Sequence, residues 1–255
     1  MGTQKIQVIT FDLWDTVFID DSDEPKRARQ HLSPKPIERR NLVERALQES
    51  GNPIARNLID IAYDTTDVAF YQVWYGQHLT WTVAERLSVL LKGLGRELAP
   101  DQFDELVRLH EDMELDPVPD LAPHIAAILA QLQGQYRLAV ISDAIFTPGR
   151  GLRRLLAHYD LLQYFDAFAF SDELGCSKPC TRMFQAISES LNIPLESIVH
   201  IGDREQKDVA GVQAVGAQAI FTTVVKDRGG EQTQAQALCS DYLTLPALLE
   251  KLDRP

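Results

Sequence analysis

Apolar positions recur along this chain in two rhythms, and the change between them divides it. At the start, Lys5 to Phe11 (KIQVITF) is rich in Ile, Val and Phe without a helical period. Such a run predicts a buried strand. It stops abruptly at Asp12, and Asp15 and Thr16 follow in the same turn. From about residue 36 to 115 the spacing becomes three and four. Leu42, Val43, Ala46 and Leu47 form one stripe, ended by Gly51 and Pro53, and a second runs from Leu58 through Ile61, Ala62 and Thr65 to Val68 and Ala69. A third carries Val83, Leu87, Leu90 and Leu91 up to Gly93 and Gly95, and a fourth Phe103, Leu106, Val107 and His110. Four amphipathic helices with short links predict a compact bundle with its own core. Ahead of them, DDSDEPKRARQHLSPKP (20–36) sets an acidic block before a basic one and is broken by prolines. That composition predicts a loop or hinge without regular structure.

Beyond Pro117 and Pro119 helix and strand patterns alternate. Helix Leu121–Gln133 leads to strand Tyr136–Ile141, Gly151–His158 to Ala167–Phe170, Cys180–Leu191 to Ser197–Ile201, and Val209–Val215 to Ala217–Thr222. A last helix spans Leu245–Leu252. Repeated units with apolar strands predict an α/β fold, a doubly wound parallel sheet covered on both faces. The bundle then sits between the first and second strands. This gives a core of 1–17 and 116–255 and a cap of 18–115.

Composition narrows the function. A net charge of −12 argues against nucleic acid or an anionic membrane as a general partner, though not against a small anionic substrate. Three cysteines, Cys176, Cys180 and Cys239, are too few for a disulfide framework, and no second Cys/His pair completes a zinc site. With no signal peptide and no apolar run long enough to span a bilayer, the expectation is a soluble cytoplasmic protein, monomer or homodimer.

Chemistry is expected where strands end. Asp12 closes the first, Ser142 and Asp143 the second, Gly202 and Asp203 the fourth. Parallel strands place these tips on one sheet edge, where open α/β sheets bind ligands. Taken singly, a Ser or Asp there is an ordinary cap or turn former. Taken in order, FDLWDT (Asp12 to Thr16), LAVIS (ending at Ser142), GCSKP (Lys178) and GDREQKD (Asp203, Asp208) resemble the four motifs of haloacid dehalogenase-like hydrolases. PVPD, TPGRGLRRLL and FSDELGCSKP look familial too, and the helical insert lies where that family places its first (C1) type of cap.

The resemblance implies a Rossmann-type core and a Mg²⁺-dependent phosphohydrolase acting on a small phosphorylated substrate. Asp12 is then the nucleophile that becomes an aspartyl-phosphate. Asp12, Asp203 and the Trp14 carbonyl are the implied Mg²⁺ ligands, with Asp208 in support and Lys207 as a neutralising neighbour. Thr16, Ser142, Asp143 and Lys178 are implied to hold the phosphoryl group. The chemistry is coherent, because two carboxylates brought close repel unless a cation lies between them.

One departure bears on mechanism. The family's phosphatases carry a second Asp two residues after the nucleophile as general acid and base, and here that residue is Trp14, followed by Asp15 where Gly is common. General acid catalysis is worth about 10²–10⁴-fold, so esters with poor leaving groups are expected to turn over slowly. Asp15 is a candidate substitute, although neighbouring side chains in a turn point apart. Trp14 either narrows the pocket or turns away beneath the cap. Dehalogenases of the family carry an aromatic residue here and use no metal, but they lack the acidic Gly-Asp motif. A catalytically lapsed phospho-ligand or partner-binding protein is the other alternative. The basic cluster Lys26, Arg27, Arg29, Lys35, Arg39 and Arg40 is either a solvated surface or a contact for the distal part of an anionic substrate. Phe70, Tyr71, Trp74, Tyr75 and Trp81 build the cap core, gate the pocket or form a dimer patch, and His200, inside a strand, is expected to be structural.

Overall fold

VITF forms strand β1 (Val8–Phe11), and all four side chains are buried because the strand lies in the middle of the sheet. The computed structural model describes residues 5–253; positions 1–4 and 254–255, at the ends of the range assigned to the core, lie outside it. Five more strands join in parallel: β2 (Arg137–Ser142), β3 (Ala167–Phe170), β4 (Ile198–Gly202), β5 (Gln218–Thr222) and β6 (Ala237–Cys239). Their order is β3-β2-β1-β4-β5-β6. The chain winds outward from β1 through β2 and β3, then returns to the other side of β1 as β4. The order therefore reverses between β1 and β4, where such sheets open a crevice at their carboxyl ends. Phe11 pairs with Ile201, and the Asp12 N–H donates to the Ile201 carbonyl at 2.9 Å, so Asp12 leaves the sheet beside Gly202 and Asp203.

Alternation along β1 sorts the core. Ile9 and Phe11 face one layer, with helices α6 (Ile125–Leu132), α7 (Gly149–His158) and α11 (Leu245–Leu252), while Val8 faces the other, with α9 (Thr181–Leu191) and α10 (Ala210–Gln213). A third cluster, with Leu42, Leu47, Ile59, Leu87, Leu90 and Leu106, lies among four helices between β1 and β2. These are α2 (Lys35–Glu49), α3 (Arg56–Gln77), α4 (Val83–Gly93) and α5 (Pro100–Glu111). Thr82 starts α4 with a capping box, its hydroxyl accepting from the Glu85 N–H and the Glu85 carboxylate accepting from the Thr82 N–H. The small helix α8 (Ser171–Leu174) follows β3. Among the described residues no helix is long and apolar enough to cross a membrane.

The hinge expectation for 20–36 needs correction. Glu24–Arg29 forms a helix, α1, and α2 already begins at Lys35. Pro25 and Pro36 stand in the first turns, where a missing N–H costs nothing, so the prolines open helices rather than break them. The charges are paired as well as solvated. Lys26 Nζ reaches the Val118 carbonyl at 2.7 Å and Asp120 at 2.6 Å, and buried Lys35 meets Asp23 at 2.7 Å and Glu114 at 3.2 Å. The three-residue β6 escaped the pattern because it is too short to alternate. The helix expected at Val209–Val215 begins instead as a π-helical turn, Glu205–Val209, and α6 starts only at Ile125, after His124 in the left-handed region.

Candidate active site

Four chain segments converge at the β1/β4 crevice, and their side chains interlock. Ser142, at the tip of β2, donates its hydroxyl to Asp12 Oδ1 at 2.8 Å. Lys178 Nζ lies 2.9 Å from the same oxygen and 2.5 Å from Asp208 Oδ1. His200 Nε2 meets Asp208 Oδ1 at 3.1 Å, and the Arg204 N–H donates to Asp208 Oδ2 at 2.9 Å. Asp208 is thus engaged through both oxygens. The π-helical turn brings it back under β4, against Gly202, where any Cβ would collide with the Asp208 carboxylate. Only glycine permits that approach.

Electrostatics follows from burial. Lys178 is 1% exposed. Desolvation alone would push its ammonium toward neutrality, but Asp12, Asp208 and Asp143 outweigh that and hold it protonated, above its ordinary pKa. Asp208 shows the opposite balance: burial raises it, yet Lys178 and His200 together carry its carboxyl below the usual range. Burial raises Asp12 as well, and it pushes Asp203 up to about 7, helped by Asp208 and Asp12.

Carboxylate oxygens of Asp12, Asp203 and Asp208 lie within 4.8 Å of one another, all buried. Asp203 Oδ1 has no hydrogen-bond partner among the described residues. A fully buried carboxylate oxygen without a donor is costly. Together with two neighbouring acids it fits a hard, oxygen-seeking divalent cation. The fit is through Asp12 and Asp203, because Asp208 is already taken by Lys178, His200 and Arg204.

The raised Asp203 carboxyl has a consequence for stability. Between its unfolded value of about 3.9 and its folded value of about 7, the folded form binds the extra proton. This contribution to stability is therefore present at low pH and lost as pH rises through that window. His200 and His110, both lowered by burial, act with the opposite sign, so the total slope is not the readout. The difference between variants is. In EDTA, Asp203→Asn is expected to gain melting temperature relative to the parent as pH rises from 5 to 7.5, and a constant difference would contradict the shift.

Other residues singled out from the sequence fall into place unevenly. Asp143 has both oxygens occupied, one by the Lys178 N–H at 2.9 Å and the other by Lys207 Nζ at 2.8 Å. Its carboxylate holds the Lys178 loop, and the residue also lines the chamber over Asp12. Thr16 is fully buried; its carbonyl accepts from the Tyr242 hydroxyl at 2.8 Å, and its own Oγ1 has no partner among the described residues. Trp14 lines both the chamber over Asp12 and the cleft outside it, with its ring 5.9 Å from that of Phe18. Asp15, in the left-handed region at φ 55°, is buried, and its Oδ2 takes Arg228 Nη2 at 2.5 Å. Its other oxygen, Oδ1, accepts the Asp20 N–H at 3.2 Å, so both carboxylate oxygens are engaged. His200 is enclosed between Thr10 Oγ1, 2.8 Å from Nδ1, and Asp208.

Arg228 was not anticipated. Its Nε pairs with Asp203 Oδ2 while Nη2 holds Asp15. It lies in KDRGG, a polar loop resembling any turn, and only the placement of β5 beside β4 brings it to the site.

The chamber bounded by Asp12, Trp14, Trp74, Lys178, Arg204 and Lys207 holds about 40 Å³. At about 10–15 Å³ per water, that is room for only a few waters. Trp74, from α3, closes it by lying 2.9 Å over Lys207 Nζ. Burial lowers the Lys207 ammonium to about 8 despite Asp143. Outside lies a cavity of about 670 Å³, lined by Trp14, Trp74, Tyr71, Lys35 and Arg39 among others. Of the aromatic run, Phe70 is buried in the cap beside Arg86, whereas Tyr71, Trp74 and Tyr75 face this cleft.

This arrangement belongs to a hydrolase built on a doubly wound sheet. A family model of haloacid dehalogenase-like hydrolases matches residues 6–216, and the chain belongs to that family. Among curated relatives, the glyceraldehyde 3-phosphate phosphatase of Pyrococcus furiosus is 24% identical over 253 residues, covering 98% of this chain and 95% of its own. Among solved structures, the 2-haloacid dehalogenase of Pseudomonas syringae superposes with a TM-score of 0.65 at 21% identity, over 96% of this chain and 99% of that one. A magnesium-bound HAD-hydrolase of Bacillus subtilis gives 0.59 at 18%, with the same coverage. These structural likenesses carry the fold.

Proposed function

We propose that the protein is a Mg²⁺-dependent phosphohydrolase that cleaves a small phosphorylated metabolite through an aspartyl-phosphate on Asp12. The observation that carries this reading is the buried trio of Asp12, Asp203 and Asp208, with an orphaned Asp203 oxygen next to a nucleophile already held by Ser142 and Lys178. Ser142 and Lys178 both bind Oδ1 of Asp12, while its other oxygen makes no hydrogen bond among the described residues and is the one to attack phosphorus. The new Asp12–phosphorus bond forms as the ester oxygen leaves. Water then attacks the same phosphorus, releasing inorganic phosphate and regenerating the carboxylate. Lys178 offsets the negative charge that gathers in these steps and holds phosphoryl oxygens, and the Ser142 hydroxyl keeps the nucleophile aligned. Asp12, Asp203 and the Trp14 carbonyl would hold Mg²⁺, with Asp208 in support, and the bound ion would supply positive charge against the phosphoryl oxygens.

The outer cavity carries both signs of charge, with Asp20, Asp21, Glu24 and Glu114 in its lining and Lys35 paired to Asp21 and Glu114, so Arg39 is the candidate contact for a small anionic substrate. Arg39 is 7% exposed, stacks 3.4 Å over Phe146 and forms no salt bridge among the described residues. The name of the Pyrococcus furiosus relative, a phosphatase, agrees with phosphoryl chemistry. A second reading, dehalogenation of a small halo-acid, is favoured by aromatic Trp14 alone. A metal-free displacement at carbon is poorly served by the extra carboxylate of Asp203 beside the nucleophile.

Because no acid stands at position 14, the leaving group departs without a proton from the enzyme. p-Nitrophenyl phosphate is expected to be cleaved with Mg²⁺ and not with EDTA, and alkyl phosphates far more slowly. Trp14→Asp is expected to raise the alkyl phosphate rate by about 10²-fold, with little change for the nitrophenyl ester. Equal leaving-group sensitivity in both proteins would count against this step, and chloride release from a 2-halo acid without metal would favour the dehalogenase. Tight binding of a phosphorylated ligand with no turnover would identify a lapsed enzyme.

A further inference from the structure

We propose that Arg228 is a positioning residue for the metal site, a brace that holds Asp203 by one oxygen so that the other is presented to the cation. The proposal rests on the metal-dependent reading above. Its basis is a division of labour within one carboxylate. Asp203 is fully buried; its Oδ2 is gripped by Arg228 Nε, whereas among the described residues Oδ1 has no hydrogen-bond partner and only the distant Arg204 Nε, 4.0 Å away. A carboxylate pinned at one oxygen cannot rotate to satisfy the other with a protein donor, so the orphaned atom stays aimed at the crevice. The guanidinium fork suits this task, being planar and able to hold two acids in fixed relation.

Its second tine reaches the nucleophile's own turn. Nη2 meets Asp15 Oδ2 at 2.5 Å, and Asp15 Oδ1 accepts the Asp20 N–H at 3.2 Å. Asp15 sits at φ 55°, a conformation that disfavours most side chains but that Asp tolerates. The ion pair with Arg228 gives this residue a reason to be Asp where the backbone suits Gly. One guanidinium therefore ties the tip of β4, which bears Asp203, to the turn after β1, which bears Asp12. The loop carrying Arg228 is itself fixed: Asp227 Oδ1 accepts the N–H groups of Gly229 at 3.0 Å and Gly230 at 2.8 Å. The spacing of the two metal-binding acids is thus set before a cation arrives.

Titration calorimetry with MgCl₂ on the full chain tests this. Arg228→Gln is expected to weaken Mg²⁺ binding by about tenfold, the low end of the loss seen when a residue that orients a metal ligand is removed. Arg228→Lys keeps the charge but not the fork and is expected to recover only part of the affinity. Asp15→Asn, which loosens the brace at its far end, is expected to weaken binding less than Arg228→Gln, and it carries the test should that variant fail to fold. Were Arg228 merely a positive charge near the site, its removal would tighten Mg²⁺ binding. Tighter or unchanged binding in Arg228→Gln overturns the proposal. Absence of Mg²⁺ binding by the wild type overturns the metal reading and the brace together, whereas normal binding without phosphate ester hydrolysis leaves the brace standing and removes only the phosphohydrolase.

Discussion

Asp12→Asn is expected to abolish hydrolysis of p-nitrophenyl phosphate, by on the order of 10⁴-fold or more, without loss of folding. The amide keeps the shape of the carboxylate, and its oxygen still accepts from Ser142 and Lys178, so the packing around β1 survives. What disappears is the nucleophilic oxygen, and loss of a covalent nucleophile removes nearly all of the chemical step. Burial already disfavours the charge on Asp12, and Asp208 adds to the repulsion. Neutralising it is therefore expected to leave the melting temperature of the metal-free protein unchanged or higher. Steady-state rates with Mg²⁺ and a thermal melt in EDTA check both halves, and a variant that is dead only because it is unfolded would contradict the assignment.

Lys178→Met is expected to damage stability as well as activity. Among the described residues Lys178 is the one cation in contact with both Asp12 and Asp208, and all three groups are buried. Truncating one partner of a buried ion pair leaves uncompensated charge and costs about 3–5 kcal/mol. Against a total stability of roughly 5–15 kcal/mol that is a large share, and in a chain this long it lowers the melting temperature by roughly 10 °C. The cost arises from stranded carboxylates, so it is expected to shrink when Asp12→Asn is combined with Lys178→Met. A double-mutant cycle reads that coupling directly, and additive losses would show that Lys178 stabilises the fold by packing alone.

What was legible in the sequence was whatever depends on local period or on short motifs. β1, the four helices α2 to α5 and the strand–helix alternation follow from apolar spacing, because each element buries one face or is buried outright. Asp12, Ser142, Lys178, Asp203 and Asp208 were legible because each stands at a strand tip or in a short motif, and parallel strands gather their tips on one edge. Long-range pairing was not legible. Nothing near Arg228 in the chain announces Asp203 or Asp15, which lie 25 and 213 residues away. The same holds for Lys207 and Trp74, a core lysine capped by an indole from α3. Helix α1 was missed because Pro25 reads as a breaker until its place in the first turn is known.

Isotope labelling tests the chemistry at Asp12 most directly. In a single turnover in H₂¹⁸O with Mg²⁺ and p-nitrophenyl phosphate, water attacks phosphorus, so ¹⁸O is expected in the released phosphate and none in the Asp12 carboxylate, as read by mass spectrometry of the peptide spanning Asp12. Label appearing in Asp12 itself, which requires water to attack the carboxyl carbon of the intermediate, would contradict cleavage of the aspartyl-phosphate at phosphorus.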